Sequence, residues 1–498
     1  MKNSSLRVVA LLSLIVYQSA ALAEPLREHL GRWLGDLKLP DGAVLNIGAE
    51  HYKRADGTPW ASVSSPDQGV YDIPVKSIRI GPDEAVVLDI DNATLKLTWI
   101  HDHFQGEWTQ GTTLPLELRQ VTALPMPTHP QTPHPPFPYG EESVAIRSKD
   151  GVTLGATLTV PRTPAHPNVV VLIAGSGPQT RHVDMFGHHM FDVLADHLAR
   201  QGVAVLRYDK RGVARSTGDY YGHTLSDLED DAYAAVRALA MRKQFGRIGL
   251  LGHSEGAAIA AAVTARHPEA ADFVVSLSGV GMSGFELMLQ QDQQWARDHG
   301  ASTEETVRMM PYVRKYYQTV LDTPDGEPRI AALKALYATL TPEAQGLITK
   351  YHMNEFSLSP DMAAQPFMSV ALKADPRSDW SRVRCPVLVL NGSLDHQVPA
   401  EKNVAGILAA LKAGGNLRVD SAVLAPLNHG FQTATTGKED EYDKIEETMA
   451  PIAMQKVAHF VRAQIKPARM RYPKTAARKG ADRSEKRSIV EMTPAHVY

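Results

Sequence analysis

A single cysteine, Cys385, excludes an intrachain disulfide from this 498-residue chain. It opens an apolar run, which reads as core rather than as a reactive thiol. Neither sign of charge is in excess. Lys and Arg total 52 against 55 Asp and Glu, a net charge of −3, which removes nucleic acid as a bulk electrostatic partner. Long apolar runs are scarce too. Beyond the N-terminus none reaches the roughly 18 residues that a membrane-spanning helix needs. Clear metal spacing is also missing. His101-Asp102-His103 signals no third ligand and reads as a polar turn. His182, Asp184, His188 and His189 crowd one loop and the helix after it, where a structural role is the preferred reading. No metal and no organic cofactor is expected.

The N-terminus has the layout of a secretory signal: Lys2 and Arg7, an apolar stretch Val8 to Val16, then Ala21-Leu22-Ala23. Cleavage after Ala23 and a periplasmic or secreted protein are the expectation. An uncleaved anchor is disfavoured because the run is short for a bilayer.

Residues 24–123 read as an all-β domain. Leu95, Leu97 and Trp99 alternate with Lys96 and Thr98, and turn signals recur at Asp41-Gly42, Asp56-Gly57 and Gly111. A short helix over Pro25–Trp33 is the one helical expectation there. Residues 124–140 form a proline-rich linker, with seven prolines between 124 and 138. From 141 to 465 strands alternate with helices, the pattern of a mostly parallel sheet covered on both faces. Eight strands are predicted: Ser143–Arg147, Leu154–Val160, Val169–Ala174, Val203–Tyr208, Ile248–Gly252, Phe273–Ser278, Pro386–Leu390 and Ser421–Ala425. The alternation stops over 280–377, where helices read as a lid insertion. Met309, Met310, Tyr312, Tyr316, Tyr317 and Tyr337 either line a substrate cavity there or pack the lid's own core. The acids that open the helix Ser226–Met241 are ascribed to its dipole. Residues 466–498 carry nine Lys/Arg against three Asp/Glu and read as a disordered basic tail.

The chemistry centres on Gly252-His253-Ser254-Glu255-Gly256. It follows an apolar strand and precedes an alanine-rich helix, the context of a nucleophile elbow. A serine hydroxyl needs a base, an acid to orient the base, and donors for the oxyanion. Asp395 follows the seventh strand and is the acid candidate. His429 follows the last strand and is the base candidate; His396, adjoining Asp395, is less suited. Ser176 and Glu255 are the expected oxyanion N–H donors, with Gly177 the runner-up. Asp209 and Arg211 are expected to brace the loop after the fourth strand. It lacks the Gly-Lys-Ser/Thr ending of a phosphate loop.

Five segments now stand in order: Gly-Ser-Gly-Pro at 175–178, Arg-Tyr-Asp-Lys-Arg-Gly at 207–212, Gly-His-Ser-Glu-Gly at 252–256, Gly-Ser-Leu-Asp-His-Gln-Val-Pro at 392–399 and Leu-Asn-His-Gly-Phe-Gln at 427–432. With them residues 141–465 resemble the α/β-hydrolase superfamily, specifically its bacterial serine carboxylesterase-like members (a serine aminopeptidase-like hydrolase domain) with an extra N-terminal β domain. The resemblance implies a Ser254–His429–Asp395 triad and no cofactor. One departure is Ala174-Gly175, where many relatives have His-Gly; it bears on the oxyanion donor. The expected activity is hydrolysis of small to medium carboxylic esters. A serine aminopeptidase, amidase or thioesterase with the same triad is the alternative, and a non-catalytic binding protein the remote one. The expected partner is a small ester substrate, not nucleic acid.

Overall fold

Alternating apolar and polar side chains fold residues 31–121 into one antiparallel sheet. The computed structural model describes residues 29–80, 85–90, 92–351, 353 and 358–464. The signal segment 1–23 and the tail 466–498 lie outside the described residues. The sheet comprises β1 (Gly31–Lys38), β2 (Val44–Lys53), β3 (Pro59–Ser65), β4 (Val70–Pro74), β5 (Ser77–Ile80), β6 (Val86–Asp89), β7 (Thr94–Ile100), β8 (His103–Gln110) and β9 (Thr112–Val121). Its order is β4-β3-β2-β1-β9-β8-β7-β6-β5, so the first strand joins the last and brings the two halves together. Leu95 and Leu97 point inward as their alternation requires, into a core with Trp33, Val63, Phe104 and Leu118.

The expected helix at Pro25–Trp33 is corrected over its described part. Gly31, Arg32 and Trp33 are strand: all three pair with His51, Glu50 and Ala49 on one side, and Arg32 and Trp33 also pair with Val121 and Gln120 on the other. Two-sided pairing outweighs a weak local preference. His101 and Asp102 make the β7–β8 turn, where His103 Nδ1 lies 3.0 Å from Asp102.

The second sheet has eight strands: β10 (Tyr139–Arg147), β11 (Thr153–Pro161), β12 (Val169–Ile173), β15 (Ala204–Tyr208), β16 (Ile248–His253), β17 (Phe273–Leu277), β18 (Val387–Gly392) and β19 (Val419–Leu424). The strands β13 (Asp184–Met185) and β14 (His188–His189) form a separate hairpin. The order of the large sheet is β10-β11-β15-β12-β16-β17-β18-β19. Its first two strands are an antiparallel hairpin, β11 meets β15 antiparallel, and the rest are parallel. Tyr139 and Gly140, read above as linker, already pair with Pro161 and Val160. β12, β15 and β17 are buried at every residue, which is why they appear in the sequence as unbroken apolar runs.

Helices cover both faces. On one lie α2 (Leu225–Arg242), α3 (Glu255–Arg266) and α11 (Ala400–Ala413); on the other α1 (Met190–Arg200) and α12 (Pro451–Ala463). Thr224 caps α2 in a reciprocal capping box with Asp227. The dipole does not account for Asp231. That carboxylate is buried and takes two hydrogen bonds from the Arg211 guanidinium, at 2.8 and 2.7 Å.

Between β17 and β18 the chain forms α4 (Gly284–Asp298), α5 (Thr303–Asp322), α6 (Glu327–Ala338), α7 (Pro342–Lys350), α8 (Pro360–Ala363), α9 (Pro366–Lys373) and α10 (Arg377–Trp380). Met309, Tyr312, Tyr316 and Tyr317 are buried in this layer's own core, with Met310 and Tyr337 packed against it. Of the two readings of these side chains, lid packing is the one the structure shows.

The β domain rests on the loop after β15. Ala55 N–H donates to the Arg215 carbonyl at 2.7 Å, and Arg215 Nη1 donates to the Lys53 carbonyl at 2.9 Å. Gly69 lies beside Phe186, at the tip of the β13–β14 hairpin.

Candidate active site

Ser254 sits between β16 and α3 with φ 56° and ψ −123°. A non-glycine residue in that region stores about 1–3 kcal/mol of strain, held by the elements on either side. The flanking glycines are steric necessities. A Cβ on Gly252 would lie 2.1 Å from the Gly256 carbonyl group, and one on Gly256 would lie 2.2 Å from the Ile173 carbonyl oxygen. Strand and helix therefore cross at backbone contact and push the serine out, half-buried, at the strand end.

Asp395 and His429 are both 3 % exposed. His429 Nδ1 is 3.0 and 2.9 Å from the two Asp395 carboxylate oxygens. That contact uses one ring nitrogen and leaves Nε2 for another partner. Asp395 is itself fully engaged. Its Oδ1 accepts the Gln397 and Val398 N–H groups at 3.1 and 2.8 Å, and its Oδ2 accepts Asn391 Nδ2–H at 3.0 Å. A carboxylate held by three further donors cannot swing away from the imidazole.

Three supports have no sequence signal strong enough to find them. Asn391 ends β18 and also donates to the Val398 carbonyl at 3.0 Å. His253 is buried, and its Nε2 lies 3.0 Å from the His429 carbonyl oxygen. Burial, aided by the nearby His429 ring, lowers its pKa to about 3, so it is neutral and donates there. Tyr442 accepts the His429 N–H at 3.4 Å. His253 stood inside the serine pentapeptide, where it looked like spacer.

His396 faces away. Its Nδ1 is 2.8 Å from Asp298 of α4, so its partner lies in the helical layer. Glu255 opens α3, whose first N–H groups have no intrahelical acceptor. The turn that carries Ser176 and Gly177 lies against the serine; a Cβ on Gly175 would stand 3.1 Å from Ser254 Cβ. The Glu255 carboxylate is tied to the buried Lys210 ammonium at 3.1 Å.

Asp209 and Arg211 do brace this edge, but through separate partners. Asp209 takes Arg181 Nε and Nη2 at 3.0 and 2.6 Å, and the Arg181 and Arg215 N–H groups at 2.8 and 3.1 Å. Burial alone would raise the Asp209 carboxyl; the Arg181 charge and hydrogen bonds outweigh it and hold it low. Cys385 is half-buried, and burial pushes its thiol up to about 12, far from thiolate reactivity at neutral pH. No helix among the described residues is long and apolar enough to cross a membrane.

The strand order, with a strained serine after the fifth strand and an Asp–His pair after the seventh and eighth, defines an α/β-hydrolase fold. Comparison with known proteins agrees. The family model for X-Pro dipeptidyl-peptidases (S15 family) matches residues 150–430, more than half of the chain, and the chain belongs to that family. Esterase EstD of Thermotoga maritima is 26% identical over 294 residues, 59% of this chain and 60% of the relative's own length. Among solved structures, esterase Pf2001 of Pyrococcus furiosus is 17% identical, covers 65% of this chain and 92% of its own, and has a TM-score of 0.38. A proline iminopeptidase of Mycobacterium smegmatis is 16% identical, covers 65% and 98%, and has a TM-score of 0.41.

Proposed function

We propose that the protein is a serine carboxylesterase. Ser254 Oγ attacks the acyl carbonyl, and His429 Nε2 takes its proton and returns it to the leaving alcohol. The acyl-enzyme is then released by water activated at the same nitrogen. Asp395 holds the imidazole with Nδ1–H toward its carboxylate and stabilises the imidazolium. The N–H groups of Ser176 and Glu255, with Gly177 as the second choice for the former, receive the oxyanion. The observation that carries this reading is the buried His429–Asp395 contact at the same sheet edge as the strained Ser254.

The family model's own name favours a second reading, cleavage of X-Pro dipeptides from peptide N-termini. A peptidase of that kind needs a free carboxylate near the serine for the substrate amine. Two carboxylates stand near the triad: Glu255, paired with Lys210 at 3.1 Å, and Glu439, beside His429, which accepts Gln397 Nε2–H at 2.9 Å and is the candidate to receive a substrate amine under that reading. Parallel assays with p-nitrophenyl acyl esters and with Gly-Pro anilides separate the two. Ester turnover abolished by Ser254→Ala is expected; faster Gly-Pro anilide cleavage would replace the proposal. The sequence of residues 1–23 supports export to the periplasm or medium, which N-terminal sequencing of the mature protein tests.

A further inference from the structure

The sequence drew attention to His182, Asp184, His188 and His189 as one crowded loop. The fold takes His188 out of that group. Its ring is buried between the Thr448 hydroxyl, at 2.9 Å from Nδ1, and the Tyr442 carbonyl, at 3.1 Å from Nε2. In its place the fold brings Asp192, from the first turn of α1. One nitrogen each of His182 and His189 and one oxygen of Asp192 lie within 4.8 Å of one another.

The arrangement has a direction. His182 Nδ1 is 2.8 Å from both Asp192 carboxylate oxygens, and His189 Nδ1 is 3.3 Å from Oδ2, so the same ring nitrogen of each imidazole lies close to one oxygen. Ligands about 2.0–2.2 Å from a tetrahedral zinc ion are about 3.3 Å from each other. On the far side of His189 a carboxylate stands close to the other ring nitrogen. His189 Nε2 lies 2.6 Å from Asp184 Oδ1, and Asp184 Oδ2 accepts the Thr180 hydroxyl at 2.9 Å. A carboxylate on the other ring nitrogen fixes a ligating histidine's tautomer and raises its basicity. Two guanidinium groups stand at the edge of the cluster: Arg207 contacts Asp192 Oδ1 and also serves Glu141 at 3.0 Å, and Arg181 is taken up by Asp209 at 2.6 Å. The three side chains are between 18% and 39% exposed, open to an entering ion and to water as a fourth ligand.

We propose that His182 Nδ1, His189 Nδ1 and Asp192 Oδ2 form a binding site for a divalent transition ion of the zinc class, with Asp184 as its outer-sphere carboxylate. Two imidazoles and one carboxylate select that class over calcium or magnesium, which prefer all-oxygen shells. The site joins the turn after β12 to the start of α1 and brackets the β13–β14 hairpin, whose Met185 Cε would stand 3.2 Å from a Cβ on Gly430, next to His429. A bound ion ties that hairpin down.

Calorimetric titration of tag-free, chelator-treated protein with Zn²⁺ tests the site. One ion per chain, bound at micromolar or tighter affinity, is expected, with the visible ligand-field bands of a nitrogen–oxygen site when Co²⁺ replaces it. His189→Gln and Asp192→Asn should each weaken binding more than tenfold, and Asp184→Asn about 10- to 100-fold. His101→Ala, in a surface turn, should leave it unchanged. Absence of saturable Zn²⁺ uptake by the wild-type protein overturns the proposal. Uptake that survives His189→Gln and Asp192→Asn overturns it as well. The wild-type titration decides alone if a variant does not fold.

Discussion

Two histidine–carboxylate clusters stand on neighbouring loops of this α/β-hydrolase fold, built from the same residue types to different proportions. In the first, one imidazole meets one carboxylate, and amide donors from Asn391, Gln397 and Val398 take up the rest of Asp395. Both members are buried. In the second, two imidazoles meet Asp192, a further aspartate backs one of them, and all stay partly open to water. A one-to-one buried pair fixes a tautomer and a direction for proton transfer. A two-to-two open cluster, with the Arg207 guanidinium on one of its carboxylates, fixes no such single direction. Identity of side chains therefore says less than their ratio, burial and supporting donors.

The comparison can be broken most sharply at the first cluster. Asp395→Asn, which keeps the shape but reverses the tautomer, should lower kcat for a p-nitrophenyl ester about 10⁴-fold. Ser254→Ala should do at least as much, and a fluorophosphonate probe should then fail to label the protein. If Asp395→Asn retains more than a tenth of the activity, the first cluster is structural and the contrast collapses.

Acid should also act on the first cluster. His253 beneath it is held neutral, with a pKa of about 3 against an ordinary 6.5. Lowering the pH below 6.5 protonates this histidine in the unfolded chain before the folded one. Stability is thus intact above pH 6.5, falls by up to about 1.4 kcal/mol per pH unit below it, and levels off near pH 3. Urea midpoints measured between pH 7 and pH 4.5 test this; His253→Gln should flatten the dependence.

Asn391→Ala comes next. It strips a donor from Asp395 and leaves the Val398 carbonyl without its partner, a loss of about 1–3 kcal/mol in urea unfolding. The kcat should drop with it, because the carboxylate gains freedom. The smallest effect belongs to the second cluster. Thr180→Ala removes one hydroxyl from Asp184 Oδ2, at a cost of about 1 kcal/mol, and should leave kcat where it was. A fall in kcat equal to that of Asn391→Ala would mean that the two clusters do not differ in function.

Much of the fold was legible because burial leaves a mark on composition. β12, β15 and β17 are wrapped on both faces and read as solid apolar runs, and β7 is half-covered and reads as alternation. Ser254, Asp395 and His429 were legible by order along the chain, each at the end of a strand. Trp33 misled because its strand state comes from partners 16 and 87 residues away, Ala49 on one side and Gln120 on the other. His253 and Asn391 were invisible as supports, since nothing local marks a side chain that will meet a loop 176 residues on or a turn four residues on.

By itself, then, the sequence determined the strands of the second sheet and the helices between them, and that a serine would stand between glycines where strand and helix pass too closely to bear a Cβ. Those are consequences of local sterics and of apolar periodicity, which neighbouring residues suffice to impose. The tertiary structure alone decided that His188 turns into the core while Asp192 joins His182 and His189, that Asp231 rather than a dipole answers Arg211, and that the aromatic residues of the insertion pack one another. Each of these is settled by which elements share a face and what donors that face already holds, a long-range choice that no local pattern encodes.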